Sequence, residues 1–260
     1  MKKLFIIILG LFFLFISCKD KKEPEPSKTD STKELSKINL KLEHTFNGQP
    51  LALNTKFVNA KGDTIQISEL KYFLSNLILK NASTSTEDTF GYHLIDIKKG
   101  AIQEIELSGF MPGTYDVIKL AVGVDKARNY SIESAKGDLD PAGATDGMIW
   151  TWSTGYKFLK FEGKYTLPTI PPVNGNFVIH TGGDLGYKEF SFESKGTLEK
   201  GKTTELHLIV DVAELFYSPT LIDISKKLGH SGAGLIMENM ASSTETGKKG
   251  WFELHHFKVE

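Results

Sequence analysis

The sequence predicts an all-β chain: a β-sandwich with one short helix near the C-terminus and long connecting loops. Three observations carry that expectation. Ile38, Leu40, Leu42, His44 and Phe46 alternate with Asn39, Lys41, Glu43 and Thr45, the period-two pattern of a half-buried strand. Short apolar stretches recur between turn signals such as Asn47-Gly48, Lys98-Lys99-Gly100 and Pro112-Gly113. Helical periodicity is rare, and its best instance is Ser231 to Ser242, where Leu235, Ile236, Met237 and Met240 form a stripe.

Taken in order, the chain opens on Met1-Lys2-Lys3, an apolar run from Leu4 to Ile16, and Ser17-Cys18. A positive start, a short apolar run and a small residue before the cut describe a secretory signal. The run falls short of the roughly 20 apolar residues a membrane-spanning helix needs. Residues 1–17 therefore read as a signal, and Phe15-Ile16-Ser17-Cys18 resembles a bacterial lipobox with Phe15 where Leu is usual. Cys18 is the only cysteine, so it closes no disulfide within the chain, and lipidation gives it a purpose. Residues 18–37 carry almost no large apolar side chain and read as a lipidated, disordered tether. The expectation is a lipid-anchored protein of the cell envelope, on the outer membrane, at its periplasmic or surface face.

Residues 38–260 form the folded domain in this reading, long enough to bury a substantial core without disulfides. Thr64 to Lys80 reads as one bent strand, Tyr92 to Ile97 and Ile102 to Leu107 as short strands, and Thr114 to Val124 as another. Trp150 to Glu162 reads as a long aromatic strand, with Trp150, Trp152 and Tyr156 on one face. Asn176 to Thr181, Lys188 to Phe192, Glu205 to Val212 and Phe252 to Val259 complete the set, and the polar stretch Ala135 to Gly147 reads as a long loop.

Charge and motif content narrow the function. The net charge is −1 and grows more negative once Lys2 and Lys3 leave with the signal, and no basic block favours nucleic acid. Phosphate loop, dinucleotide fingerprint, haem-attachment pair and Gly-x-Ser-x-Gly are all missing from the sequence, so it is not expected to be an enzyme. Seven histidines remain as candidates. His44 should point inward with Leu40 and Leu42, where a neutral imidazole either ligates a metal or is hydrogen-bonded in the core. His180 precedes Thr181-Gly182-Gly183, where backbone can approach a ligand closely. His230 stands just before the helix that carries Met237 and Met240, soft potential Cu(I) ligands or plain core. His255 and His256 are adjacent, which on a regular strand sends them to opposite faces and keeps them from sharing a metal. With His93 and His207 they read as surface or core residues.

Several stretches, in order, resemble a known family. They are Leu42-Glu43-His44 with Gly48-Gln49-Pro50-Leu51, Ile67-Ser68-Glu69-Leu70-Lys71-Tyr72-Phe73-Leu74, and Val122-Gly123-Val124-Asp125. Asp138-Leu139-Asp140-Pro141, the Trp150-x-Trp152-x-x-Gly155-Tyr156-Lys157-Phe158-Leu159 run, Phe177-Val178-Ile179-His180-Thr181-Gly182-Gly183 and His230 follow. Together they resemble the methanobactin-associated periplasmic copper-binding (MbnP-like) proteins and their lipoprotein relatives. The resemblance implies a β-sandwich that binds copper without turnover, with His44, His180 and His230 as metal ligands. It also implies oxidation of Trp150 or Trp152 to kynurenine by a dihaem peroxidase-like partner. The competing expectation is a metal-free interaction or adhesion module on the cell surface.

Overall fold

Among the described residues, thirteen strands build two sheets. They are β1 (Ser36–Phe46), β2 (Gln49–Pro50), β3 (Lys56–Val58), β4 (Thr64–Lys80), β5 (Ser85–Glu87), β6 (Tyr92–Asp96), β7 (Ile102–Phe110), β8 (Gly113–Val122), β9 (Lys157–Leu167), β10 (Val173–Gly182), β11 (Lys188–Leu198), β12 (Thr203–Asp211) and β13 (Phe252–Val259). Two α-helices join them, a single turn α1 (Lys126–Asn129) and α2 (His230–Ala241). The computed structural model describes residues 34–132, 137–141, 147–151, 153, 155–217, 219–226, 230–241 and 251–259. Cys18, the tether up to residue 33, Trp152 and parts of the 135–147 loop lie outside them. The expected all-β sandwich is the observed fold.

One sheet has five strands in the order β13-β12-β1-β2, with β7 also on β1. β1 is its centre, parallel to β12 and antiparallel to β7. The other sheet runs β10-β9-β4-β8-β11, and β3, β5 and β6 add to β4. β4 is 17 residues long and bends as the sequence suggested. Its register shifts between Ile67 and Glu69 and again between Ser75 and Ile78, and Asn76 adopts φ 53° beside the second shift.

Period-two alternation decides which side chains fill the space between the sheets. Ile38, Leu40 and Leu42 of β1 and Leu206, Leu208 and Val210 of β12 are fully buried. They belong to one core with Leu70, Tyr72, Leu159, Phe161 and Ile179 of the eight-stranded sheet. Each such side chain contributes about 1.5–3 kcal/mol by leaving water. Phe73 and Phe158, the neighbours of Tyr72 and Leu159, face the other way. They form a second, smaller core with Val124, Leu139, Met148 and Tyr156 on the outer face of that sheet.

Two local expectations are corrected. The aromatic strand does not start at Trp150. β9 begins at Lys157, and an isolated bridge pairs Ile149 with Tyr156, so the chain between them turns back on itself. Gly155 makes this possible at φ 108°, where any Cβ would also meet Asn129 Oδ1 at 2.8 Å. Tyr156 pins the turn: its N–H donates to Asn129 Oδ1 at 2.8 Å and its hydroxyl to the Leu139 carbonyl at 2.7 Å. Trp150 therefore sits on a loop, not on a strand face.

The second correction concerns His255 and His256. His207 of β12 pairs with His256, but the next residue, Leu208, pairs with Leu254. His255 is thus an extra residue in β13, a β-bulge that sets two residues against one. Leu254 and Phe257 still point toward the apolar side of the sheet, and both histidines between them go to the outer face.

α2 follows the stripe read from the sequence. Ile236, Met237, Asn239 and Met240 are all buried. Asn239 fastens the helix: Nδ2 donates to the Leu215 and Thr220 carbonyls at 2.9 and 2.8 Å, and Oδ1 accepts from Thr220 N–H at 3.0 Å. Each of these bonds satisfies a group that would otherwise be buried without a partner.

Candidate functional site

At the end of β10, the outermost strand of the larger sheet, lies a cavity of about 330 Å³. Trp150, His180, Asn129, Gly183, Ala233 and Met237 are among its walls. Four separate segments meet there: α1, the loop before β9, the end of β10, and α2.

Trp150 is half-buried and fixed by its surroundings. Its indole N–H donates to the Tyr156 carbonyl at 3.0 Å. The Lys157 ammonium lies 5.4 Å from the ring centroid, a cation–π contact. Burial and the charge of Lys160 hold Lys157 below the ordinary lysine value. Gly182 admits the indole, because a Cβ there would stand 2.6 Å from the Tyr156 carbonyl oxygen and 2.9 Å from Trp150 Nε1. Of the two glycines after His180, Gly182 brings backbone close to another group, and that group is Trp150, while Gly183 faces open space.

His180 meets Trp150 edge to face, with ring centroids 6.1 Å apart. Its Nε2 lies 2.7 Å from Glu162 Oε1. That carboxylate belongs to a chain of ion pairs across the outer face of the sheet. Lys160 pairs with Glu162 at 3.7 Å and with Glu69 at 2.8 Å, and the buried Lys71 pairs with Glu69 at 3.3 Å and Asp96 at 3.4 Å. Burial alone would raise the Glu69 carboxyl, but Lys160 and Lys71 outweigh it and hold Glu69 below its ordinary value. The network fixes Glu162, and Glu162 fixes the imidazole. With Nε2 held, Nδ1 is the nitrogen His180 has to offer a ligand. On the far wall, Met237 Sδ accepts the Thr181 hydroxyl at 3.3 Å.

His44 points inward, as the alternation of β1 requires, and is fully buried. Its Nδ1 lies 2.7 Å from the Ala101 carbonyl and its Nε2 2.9 Å from the Tyr72 hydroxyl. A carbonyl can only accept, so Nδ1 carries the proton and Nε2 accepts from Tyr72. The imidazole bridges the two sheets through the core, and burial lowers its pKa to about 4. Both nitrogens are engaged, and His44 is not among the residues lining the cavity. His230 is the first residue of α2, which packs beside the cavity, but its side chain lies outside the described part, as does Trp152.

Sequence reasoning passed over a second group. His207, His255 and His256 each offer one nitrogen within 4.8 Å of the others. Burial, then Lys41 and His255, hold the His207 pKa below its ordinary value. One signal for this group was present: the inward apolar positions of β13 step from 252 to 254 and then to 257, and the broken step is the bulge.

The MbnP family model matches residues 35–238. Among solved structures, the chain is similar to MbnP from Methylosinus trichosporium, with 13% identity and a TM-score of 0.54, covering 86% of this chain and 99% of that one. No curated protein matches.

Proposed function

Because the chain belongs to the MbnP family, as the match over 35–238 establishes, we propose that it is a non-enzymatic copper-binding protein of the cell envelope, anchored through lipid on Cys18. One observation carries the metal reading: His180, Trp150 and Met237 converge on a single cavity from three segments of the chain. An imidazole braced from behind by a carboxylate is a common arrangement around protein-bound metals. A thioether in the same cavity suits a soft ion, which favours Cu(I) over harder cations. His180 Nδ1 and Met237 Sδ are the donors this chain supplies.

Trp150 is our candidate for oxidation to kynurenine by a dihaem partner, and Trp152 lies outside the described residues. The half-burial of Trp150 and its contact with His180 support this, since an oxidant can reach the ring and the product would stay beside the ligand.

Titration of the full chain with Cu(I) against a competing chelator tests the metal reading. The expected result is one tightly held copper, weakened more than about 100-fold in His180→Ala. Equal affinity in parent and variant would sink the cavity as the site, and no binding in either would leave a metal-free interaction module. For the anchor, Cys18→Ser should move the protein out of the detergent phase and lose labelled lipid. Retention without any lipid would overturn the lipoprotein reading.

A further inference from the structure

We infer that His207, His255 and His256 form a second transition-metal site, selective for Cu(II), on the outer face of the five-stranded sheet. It lies on the sheet opposite the one that ends in the cavity, and it uses none of the cavity's residues.

The backbone assembles it. A regular β13 would place one imidazole of the pair His255-His256 outside and the other in the core. The bulge puts both outside, against the single residue His207 on β12. Ring centroids are then 4.7 Å apart for His207 and His255, 5.2 Å for His207 and His256, and 5.0 Å for His255 and His256. A bulge interrupts a ladder, and here the residues it re-aims are metal-ligating ones.

Two of the three rings are braced from behind. His207 Nε2 lies 3.1 Å from Glu43 Oε2 on β1, and His256 Nε2 contacts Glu205 Oε1 on β12. Carboxylates so placed orient a ligating imidazole and raise its basicity. They leave Nδ1 as the nitrogen each ring can give. His207 is 7% exposed by side chain, so its position is set by the sheet and not by a mobile surface rotamer.

Proton accounting agrees. His256 donates Nε2–H to the carboxylate, so its Nδ1 bears a lone pair. His255 Nδ1 lies 2.7 Å away and must supply the proton between them. A metal ion replaces that proton, and His255 moves to its other neutral tautomer with no net change in charge.

Donor chemistry selects the ion. Imidazole nitrogen suits Cu(II), Ni(II) and Zn(II), and of these Cu(II) binds nitrogen sites most tightly. Three imidazoles leave a fourth equatorial position open to water or to an exogenous donor.

The test uses the full chain carrying His180→Ala, so that the cavity has lost its imidazole. Cu(II), supplied as its glycine complex and followed by electron paramagnetic resonance, should load to one ion per chain with coupling to three nitrogens. Adding His255→Ala should weaken Cu(II) at least tenfold and reduce the coupled nitrogens to two. His255 is exposed, so this change leaves the fold intact, which the circular dichroism melting curve checks. Cu(II) affinity and spectrum unchanged by His255→Ala would overturn the site, as would no stoichiometric loading. Zn(II) outcompeting Cu(II) at equal concentration would overturn the choice of metal. Because Cu(I) loss in His180→Ala reads the cavity and Cu(II) loss in His255→Ala reads the bulge, either proposal can fail alone.

Discussion

His44 and His180 stand beside aromatic rings, and both come from strands that the sequence marks plainly. His44 lies between the sheets, with one nitrogen on a backbone carbonyl and the other on the Tyr72 hydroxyl. Tyr72 in turn packs edge-on against Trp251, at 5.7 Å between centroids. His180 lies on the other face of its sheet, at an edge strand, with Nε2 on a carboxylate and the residue lining a cavity. The difference is between an imidazole sealed in the core with both nitrogens on protein partners and one that lines a cavity, as the proposed metal role requires.

Removing each side chain should break the comparison in opposite directions. The largest effect is expected for His44→Ala. It leaves a cavity and strips the buried Tyr72 hydroxyl of its partner, while the Ala101 carbonyl keeps the backbone N–H of residue 44, so it should destabilise the fold by about 4 kcal/mol. Copper affinity of the molecules that remain folded should be unchanged. Chemical denaturation alongside a copper titration separates the two; a variant of parental stability that no longer binds copper would reverse the roles assigned here.

Acid should act on His44 next. Its pKa is lowered to about 4 in the folded protein, against an ordinary value near 6.5 in the unfolded chain. Between those values the unfolded state binds the proton and the folded state does not. Stability from this group is therefore complete above about pH 6.5 and falls by about 3 kcal/mol as the pH drops to about 4. Other groups titrate over the same range, so the readout is the difference between parent and His44→Gln across denaturation curves at several pH values. Parallel curves would mean that burial does not shift the His44 pKa from its ordinary value.

Smallest of the three is Glu162→Gln. The amide oxygen can still accept from His180, but its brace is weaker and Lys160 loses an ion pair. Cu(I) affinity should fall about tenfold with a change in stability below about 1 kcal/mol. No change in affinity would show that the carboxylate serves the ion-pair row alone.

Much of the fold was legible because alternation is a local property. β1, β4, β6 to β8 and β10 to β13 follow from apolar spacing, and α2 from its stripe. The failures share a physical cause. At Trp150 to Tyr156 the aromatic run is as apolar as any strand, and only the φ of 108° at Gly155, invisible in spacing, turns the chain. β3 and β5 are three residues each, too short to show a period. For the candidate sites, a glycine pair after His180 marked a close approach, while Glu162 and Met237 reach it only through the fold. The partners of His44, Tyr72 and Ala101, are likewise remote in sequence. His255 and His256 defeated the alternation rule because that rule assumes an unbroken ladder.

The place of β1 has a consequence for how the domain is made. It is the central strand of its sheet, yet one neighbour, β7, comes from mid-chain and the other, β12, from close to the far end, in parallel. Closing that contact spans nearly the whole domain, and such non-local pairing puts folding in the millisecond-to-second range typical of all-β topologies. Until β12 arrives, one edge of β1 presents a row of unpaired N–H and C=O groups beside an apolar face. A chain interrupted before β12 keeps that edge open, and a second copy of β12 from another molecule fits it as well as its own.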